Sequence, residues 1–220
     1  MSMDNNDDSF ANRVFINCPI DPGYDELFKA SIYTILACGF YPVSALQLND
    51  GGLRLEKICN LIKSCMYSIH DLSMVELDDE NSLPRFNMPF ELGIDYGYRN
   101  DGCSKLRQKS FLIFESSTHK LGVYLSDLAG NDPSCHIKKP EFVIKEIRNW
   151  LNSAIIVYNK FSLPGDRKIA ETFNNFCQDL PDLCKDAGFD VNSISFVDLT
   201  SMMRTWIEKY PDFIKVIPSK

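Results

Sequence analysis

Apolar residues recur along the chain in two periods. Val14-Phe15-Ile16-Asn17-Cys18 is a short apolar run followed by Pro19, Asp21, Pro22 and Gly23, which predicts a buried strand and then a turn. Through residues 24–38, Leu27, Phe28, Ile32, Ile35 and Leu36 fall at helical spacing, and Gly39 is placed to close that helix. Phe40-Tyr41-Pro42-Val43 begins a second strand. Proline has no N–H for an inner ladder, so Pro42 puts it at a sheet edge. Asp50-Gly51-Gly52 breaks the chain, and Leu55, Ile58, Cys59, Ile62 and Cys65 then mark a second helix. A third strand is expected over residues 66–72 and a fourth over 110–114. A long loop, 73–86, leads to a helix on which Phe90, Gly93, Ile94 and Gly97 share one face, where the glycines would let helix and sheet approach closely. Residues 140–153 form another helix, with Phe142, Val143, Ile147, Trp150 and Leu151 as its apolar positions.

Strands alternating with helices predict an α/β fold. Right-handed crossovers narrow it to a flavodoxin-like or Rossmann-like parallel sheet with helices on both faces. No Gly-x-Gly-x-x-Gly follows the first strand, and no Gly-x-x-x-x-Gly-Lys-Ser/Thr occurs, so neither a dinucleotide-binding half nor a P-loop is supported. The pattern changes at Pro164-Gly165. Ile169, Phe173, Phe176, Cys177, Leu180 and Leu183 form one helical stripe, closed by Gly188. Leu199, Met202, Met203, Trp206 and Tyr210 form a second. The expected organisation is a disordered acidic tail at 1–12, an α/β domain at 13–158 and a helical hairpin extension at 159–220. The two stripes carry more large side chains than a hairpin can bury between its own helices. Either they pack on the sheet domain, or residues 160–220 mediate self-association or meet a protein partner, with Trp206 as the anchor.

Composition bounds this picture. The chain has 220 residues, 45% of them hydrophobic, enough for one domain with a core and an appendage. No apolar run is long enough to span a membrane, and the polar, acidic start is unlike a signal peptide, so a cytoplasmic location is expected. Eight cysteines without a Cys-x-x-Cys pair are expected as free thiols. His70, His119 and His136 have no ligand spacing around them, so zinc is not expected; no cofactor is expected either. Glu76-Leu77-Asp78-Asp79-Glu80 lacks the EF-hand spacing and reads as a solvated loop. Net charge is −7, and Lys105-Leu106-Arg107-Gln108-Lys109 is a short basic segment that also reads as solvated loop. Nucleic acid is therefore a poor main partner.

The topology brings four segments to the carboxyl edge of the sheet, where open α/β folds bind ligands. They carry Asn17, Asp21 and Tyr24; Asp50, Gly51, Gly52 and Arg54; His70, Asp71 and Ser73; and Asn87 and Glu91. Pro89 fits the first turn of a helix, which would place Glu91 there too, ionised by the helix dipole. Each residue has a plainer alternative. Glu91 would then only complement the dipole, Asp21 initiate the turn, Arg54 face solvent, Asp71 cap the loop backbone, and His70 sit satisfied in the core. Together, however, they suit cleavage of an N-glycosidic bond. That reaction passes through an oxocarbenium-like ribose, which a carboxylate traps or stabilises. Asp71 would hold the ribose hydroxyls or handle a proton, and Arg54 beside Gly51-Gly52 at a helix start would bind phosphate.

Asn17-Cys18-Pro19-Ile20-Asp21, then His70-Asp71-Leu72-Ser73, then Phe90-Glu91-Leu92-Gly93 resembles the nucleoside 2-deoxyribosyltransferase-like superfamily. There a strand ends in Asp-Leu-Thr/Ser and the next helix opens with Glu-Leu-Gly, whose glutamate is the nucleophile. The same order is similar to bacterial TIR and TIR-like domains. The resemblance covers residues 13–115. The Trp common four positions before the TIR glutamate is Asn87 here, and the helical extension belongs to neither pattern. The resemblance implies Glu91 as the catalytic residue, with Asp71 next, and NAD or a related nucleotide as substrate. It also implies a role in anti-phage defence, as in Thoeris and retron systems, and control by assembly. A nucleotide sensor without activity and a true deoxyribosyltransferase acting on free nucleosides are the alternatives.

Overall fold

Strands of four to six residues, nearly all of them buried, are the mark of a parallel sheet covered on both faces. The computed structural model describes residues 10–48, 53–74, 85–115, 117, 122, 125–128, 133–156 and 163–210. Its strands are β1 (Arg13–Asn17), β2 (Tyr41–Ser44), β3 (Tyr67–Asp71), β4 (Ser110–Glu115) and the two-residue β5 (Ser134–Cys135). They form one sheet in the order β2-β1-β3-β4-β5, and every pairing is parallel. This is the flavodoxin-like order. Pro42 sits on β2 at the edge, as its missing N–H requires.

The helices are α1 (Asp25–Ala37), α2 (Arg54–Lys63), α3 (Asn87–Asp101), α4 (Pro140–Ile156), α5 (Asp166–Ala187) and α6 (Phe196–Ile207). Alternation along the strands divides the core. Val14, Ile16, Tyr67, Ile69, Leu112 and Phe114 face α1 and α4. Phe15 faces α2 on the other side, with Ile58 and Ile62, while Ile113 faces α3 with Met88 and Leu92. Gly39, at φ 80°, closes α1, and Gly188, at φ 77°, closes α5 in a left-handed cap.

Several expectations are corrected. Phe10 is buried in the main core, so the tail does not extend to residue 12; residues 1–9 lie outside the described residues. Gly93 and Gly97 do not face the sheet, for a Cβ on either would meet nothing within 4 Å. The packed face of α3 is instead Met88, Leu92 and Asp95, at i, i+4 and i+7. The extension packs on the sheet domain, one of its two alternatives, with α5 and α6 against α1. Tyr33 of α1 lies between Phe173 and Phe176, at centroid distances of 5.5 and 5.8 Å, and Phe28 stacks on Phe196 at 6.0 Å. Helix α1 is consequently buried nearly all round, and its Ser31 and Thr34 hydroxyls donate to their own helix carbonyls at Leu27 and Ala30.

Trp206 is 7% exposed and meets Phe176 at 5.9 Å. Its ring is covered by its own chain, so a partner of residues 160–220 would meet the outward faces of α5 and α6. Trp206→Ala should lower stability by about 3–5 kcal/mol through the cavity it leaves. Urea unfolding measures this, and light scattering should show an unchanged mass. All eight cysteines carry free thiols. Among the described residues no helix is long and apolar enough to cross a membrane.

Candidate active site at the carboxyl edge of the sheet

In this strand order the chain leaves β1 toward β2 on one side and returns at β3 on the other. The crossovers therefore diverge and open a crevice beyond the carboxyl ends of β1 and β3. A cavity of about 1060 Å³ occupies it. Asn17 and Cys18 at the end of β1, and the turn from Pro19 to Tyr24, form one side. Arg54, Leu55 and Ile58 of α2 and Asn87, Met88 and Glu91 of α3 form another. Asn192, Ile194, Phe196 and Leu199, from the extension, complete the wall. Among the described candidates, the cavity thus gathers Asn17, Asp21, Tyr24, Arg54, Asn87 and Glu91. Gly51 and Gly52, with Asp50, lie outside the described residues, as does the acidic segment 76–80.

Helix α3 starts earlier than the position of Pro89 predicts. Asn87 is its first residue, so Pro89 is the third and Glu91 the fifth. Proline is tolerated throughout the first turn because those N–H groups lack helical partners anyway. Glu91 therefore lies in the second turn, where the dipole has weakened. It is half-buried, and burial raises its pKa to about 7 against the opposing charge of Arg54. Burial thus opposes the full ionisation expected of a carboxylate at a helix end.

Asp71, His70 and Ser73 do not line the cavity. Asp71 is fully buried beneath its floor. Tyr24 Oη donates to Asp71 Oδ2, the Ser73 amide donates to Oδ1 at 2.8 Å, and His136 Nε2 lies 3.1 Å from Oδ2. Burial opposes the Asp71 charge, but His136, with Ser73 and Tyr24, outweighs it and holds the pKa below the usual carboxylate value. Asp71 thus fixes Tyr24, which does line the cavity. Burial and then the Asp71 charge push the Tyr24 hydroxyl well above its ordinary value, so it stays protonated. Burial, with Asp71 and Glu91, does the same to the Cys18 thiol, which is no thiolate nucleophile.

His136 escaped the reading of the sequence. It follows β5, and Ile137 and Lys138 after it have φ of 43° and 56°. A β-branched residue in the left-handed region is strained by about 1 kcal/mol or more. The tight turn brings the Lys138 amide to His136 Nδ1 at 2.9 Å, which leaves the ring proton on Nε2, facing Asp71. Only the fold brings this histidine to Asp71, since no spacing in the sequence relates them.

His70 is the satisfied core histidine of the plainer alternative. Its Nε2 lies 3.2 Å from Asp95 Oδ2 and its Nδ1 lies 3.0 Å from Asn17 Nδ2. Asp95 in turn pairs with Lys109 Nζ at 3.1 Å. Lys109 is 2% exposed, so the segment read as solvated loop ends in a buried cation. Burial opposes the Asp95 charge, but His70 and Lys109 hold its pKa below the usual value. Asp21 keeps its turn role by accepting from the Gly23 amide at 2.9 Å. It also pairs at 3.1 Å with Arg85, a cavity residue that the sequence did not single out.

Comparison with protein-family models, with curated proteins and with solved structures returned no match.

Proposed function

We propose that this protein cleaves the N-glycosidic bond of NAD or a related nucleotide, with Glu91 as the catalytic carboxylate, in the service of anti-phage defence. One observation supports this above the others. Glu91 is a half-buried carboxylate in the wall of a large cavity at the sheet's switch point, within electrostatic reach of Arg54. The bond from the ribose C1′ to the base nitrogen breaks, and the leaving base takes the electron pair. Ionised Glu91 stabilises or traps the ribosyl cation, and water completes hydrolysis with release of a proton. Arg54 holds phosphate, and Tyr24, fixed from behind by Asp71, shapes the pocket for the sugar or base. Assembly through the outward faces of α5 and α6 would gate the activity.

Incubation of the purified chain with NAD and with mixed nucleosides, resolved by chromatography, tests this. Release of nicotinamide is expected. Base exchange between nucleosides would favour a deoxyribosyltransferase, and binding without turnover a sensor. Arg54→Ala should weaken nucleotides about 10- to 150-fold, the worth of a charge-assisted phosphate contact, and leave nucleosides nearly unchanged. Equal losses in calorimetric titrations of both ligand types would remove the phosphate role.

A further inference from the structure

The amide orientation of Asn17, at the end of β1, is settled by chemistry. The Met88 carbonyl lies 2.9 Å from Nδ2, and a carbonyl only accepts, so the nearby atom is the NH₂ nitrogen. The same nitrogen lies 3.0 Å from His70 Nδ1, which must then accept as well. The His70 proton is therefore on Nε2, where it meets Asp95 Oδ2 at 3.2 Å, and Lys109 holds Asp95 as the anion. Donation therefore runs from Asn17 through His70 to Asp95, which Lys109 meets from its other side. Both Nδ2 hydrogens of Asn17 are used on protein groups. Its Oδ1 is left without a protein partner among the described residues, in a side chain that lines the cavity yet is 5% exposed.

We propose that Asn17 Oδ1 is a fixed acceptor at the cavity floor that selects ligands by a hydrogen-bond donor, a ribose hydroxyl. The inference rests on the nucleotide reading of the cavity. A freely turning amide would accept or donate equally well. This one cannot turn without placing its oxygen against the Met88 carbonyl and the acceptor nitrogen of His70. It therefore rejects a ligand that presents an acceptor, or nothing, at that point. His70 and Asp95 act as positioning residues through it.

The test is calorimetric binding to the Glu91→Gln chain, which does not consume ligand. The probes are NAD and its 2′-deoxy and 3′-deoxy ribose analogues. One deoxy analogue should bind about 10-fold or more weakly. Asn17→Ala should weaken NAD by a similar factor and leave that analogue unchanged, so that the two losses do not add. Asn17→Ser, whose shorter side chain cannot place an acceptor at the same point, replaces it if circular dichroism shows the alanine variant unfolded. Equal losses for NAD and both analogues, or no discrimination by the Asn17-intact chain, would overturn the acceptor role alone. Discrimination that depends on Asn17, together with no turnover of NAD by the wild-type chain, would overturn the glycosidase reading alone. No binding of any of these ligands would overturn both.

Discussion

Glu91→Gln should lower the proposed turnover by at least about 1,000-fold, roughly 4 kcal/mol of barrier, and make the fold more stable above pH 7. Both effects have the same cause. The cavity wall desolvates the carboxylate and raises its pKa from 4.5 to about 7. The folded state then binds more protons than the unfolded state between those values. Stability from this group is present below pH 4.5 and is lost as pH rises through 7. The neutral amide avoids that penalty. Allowing for solvent screening of a half-buried group, the gain is on the order of 1–2 kcal/mol at pH 8 and near zero at pH 4. Wild-type rate should climb through pH 7, following the ionised form. Urea unfolding of wild type and variant at both pH values reads the stability arm. A folded variant that retains wild-type turnover would exclude Glu91 as the catalytic carboxylate, and equal stability at pH 8 would show that the carboxylate is not desolvated.

Asp95→Ala should cost about 3–5 kcal/mol, because it strands the buried Lys109 ammonium. Lys109 would keep only the Ile62 and Cys65 carbonyls at the end of α2, and His70 would lose its acceptor. Adding Lys109→Met should recover part of the loss, since the uncompensated charge then disappears. The depressed pKa of Asp95 gives the sign of the acid response. Its contribution is present above its ordinary value of 3.8 and is lost as pH falls through the lower folded value. Wild type should therefore lose more stability than Asp95→Ala between pH 5 and about pH 2. A single variant within about 1 kcal/mol of wild type in urea would mean that Lys109 finds water.

The fold was legible where burial alone decides the pattern. The short runs at Val14, Met66 and Ser110 have no reading but buried strands, and Pro42 announced the edge. Glu91 and Arg54 were legible because topology sends them to one edge whatever their neighbours do. Polar pairs across elements were not legible. Asp95 on α3 reads as a solvated helix residue until His70 and Lys109 arrive from β3 and the start of β4. His136 needs β5, which is too short to leave a period. A further sign lies in α1, where Ala30 to Ala37 has no charged residue on any face and only the small hydroxyls of Ser31 and Thr34 beside the Tyr33 phenol. A helix with no charged face must be covered on both sides. That points to the sheet beneath and to α5 and α6 above, rather than to a free hairpin.

The wall contributed by Asn192, Ile194, Phe196 and Leu199 joins the site to a part of the chain remote from its floor. A ligand filling the cavity would touch both β1 and α6 and so act as a clasp between them. Binding should slow proteolysis in α6 and the segment before it, because these residues cannot lift away without opening the cavity. At a hundredfold excess over Kd the clasp adds about 2.7 kcal/mol to unfolding. A protease added to the chain with each candidate nucleotide would thus report occupancy, whether or not any of them is turned over.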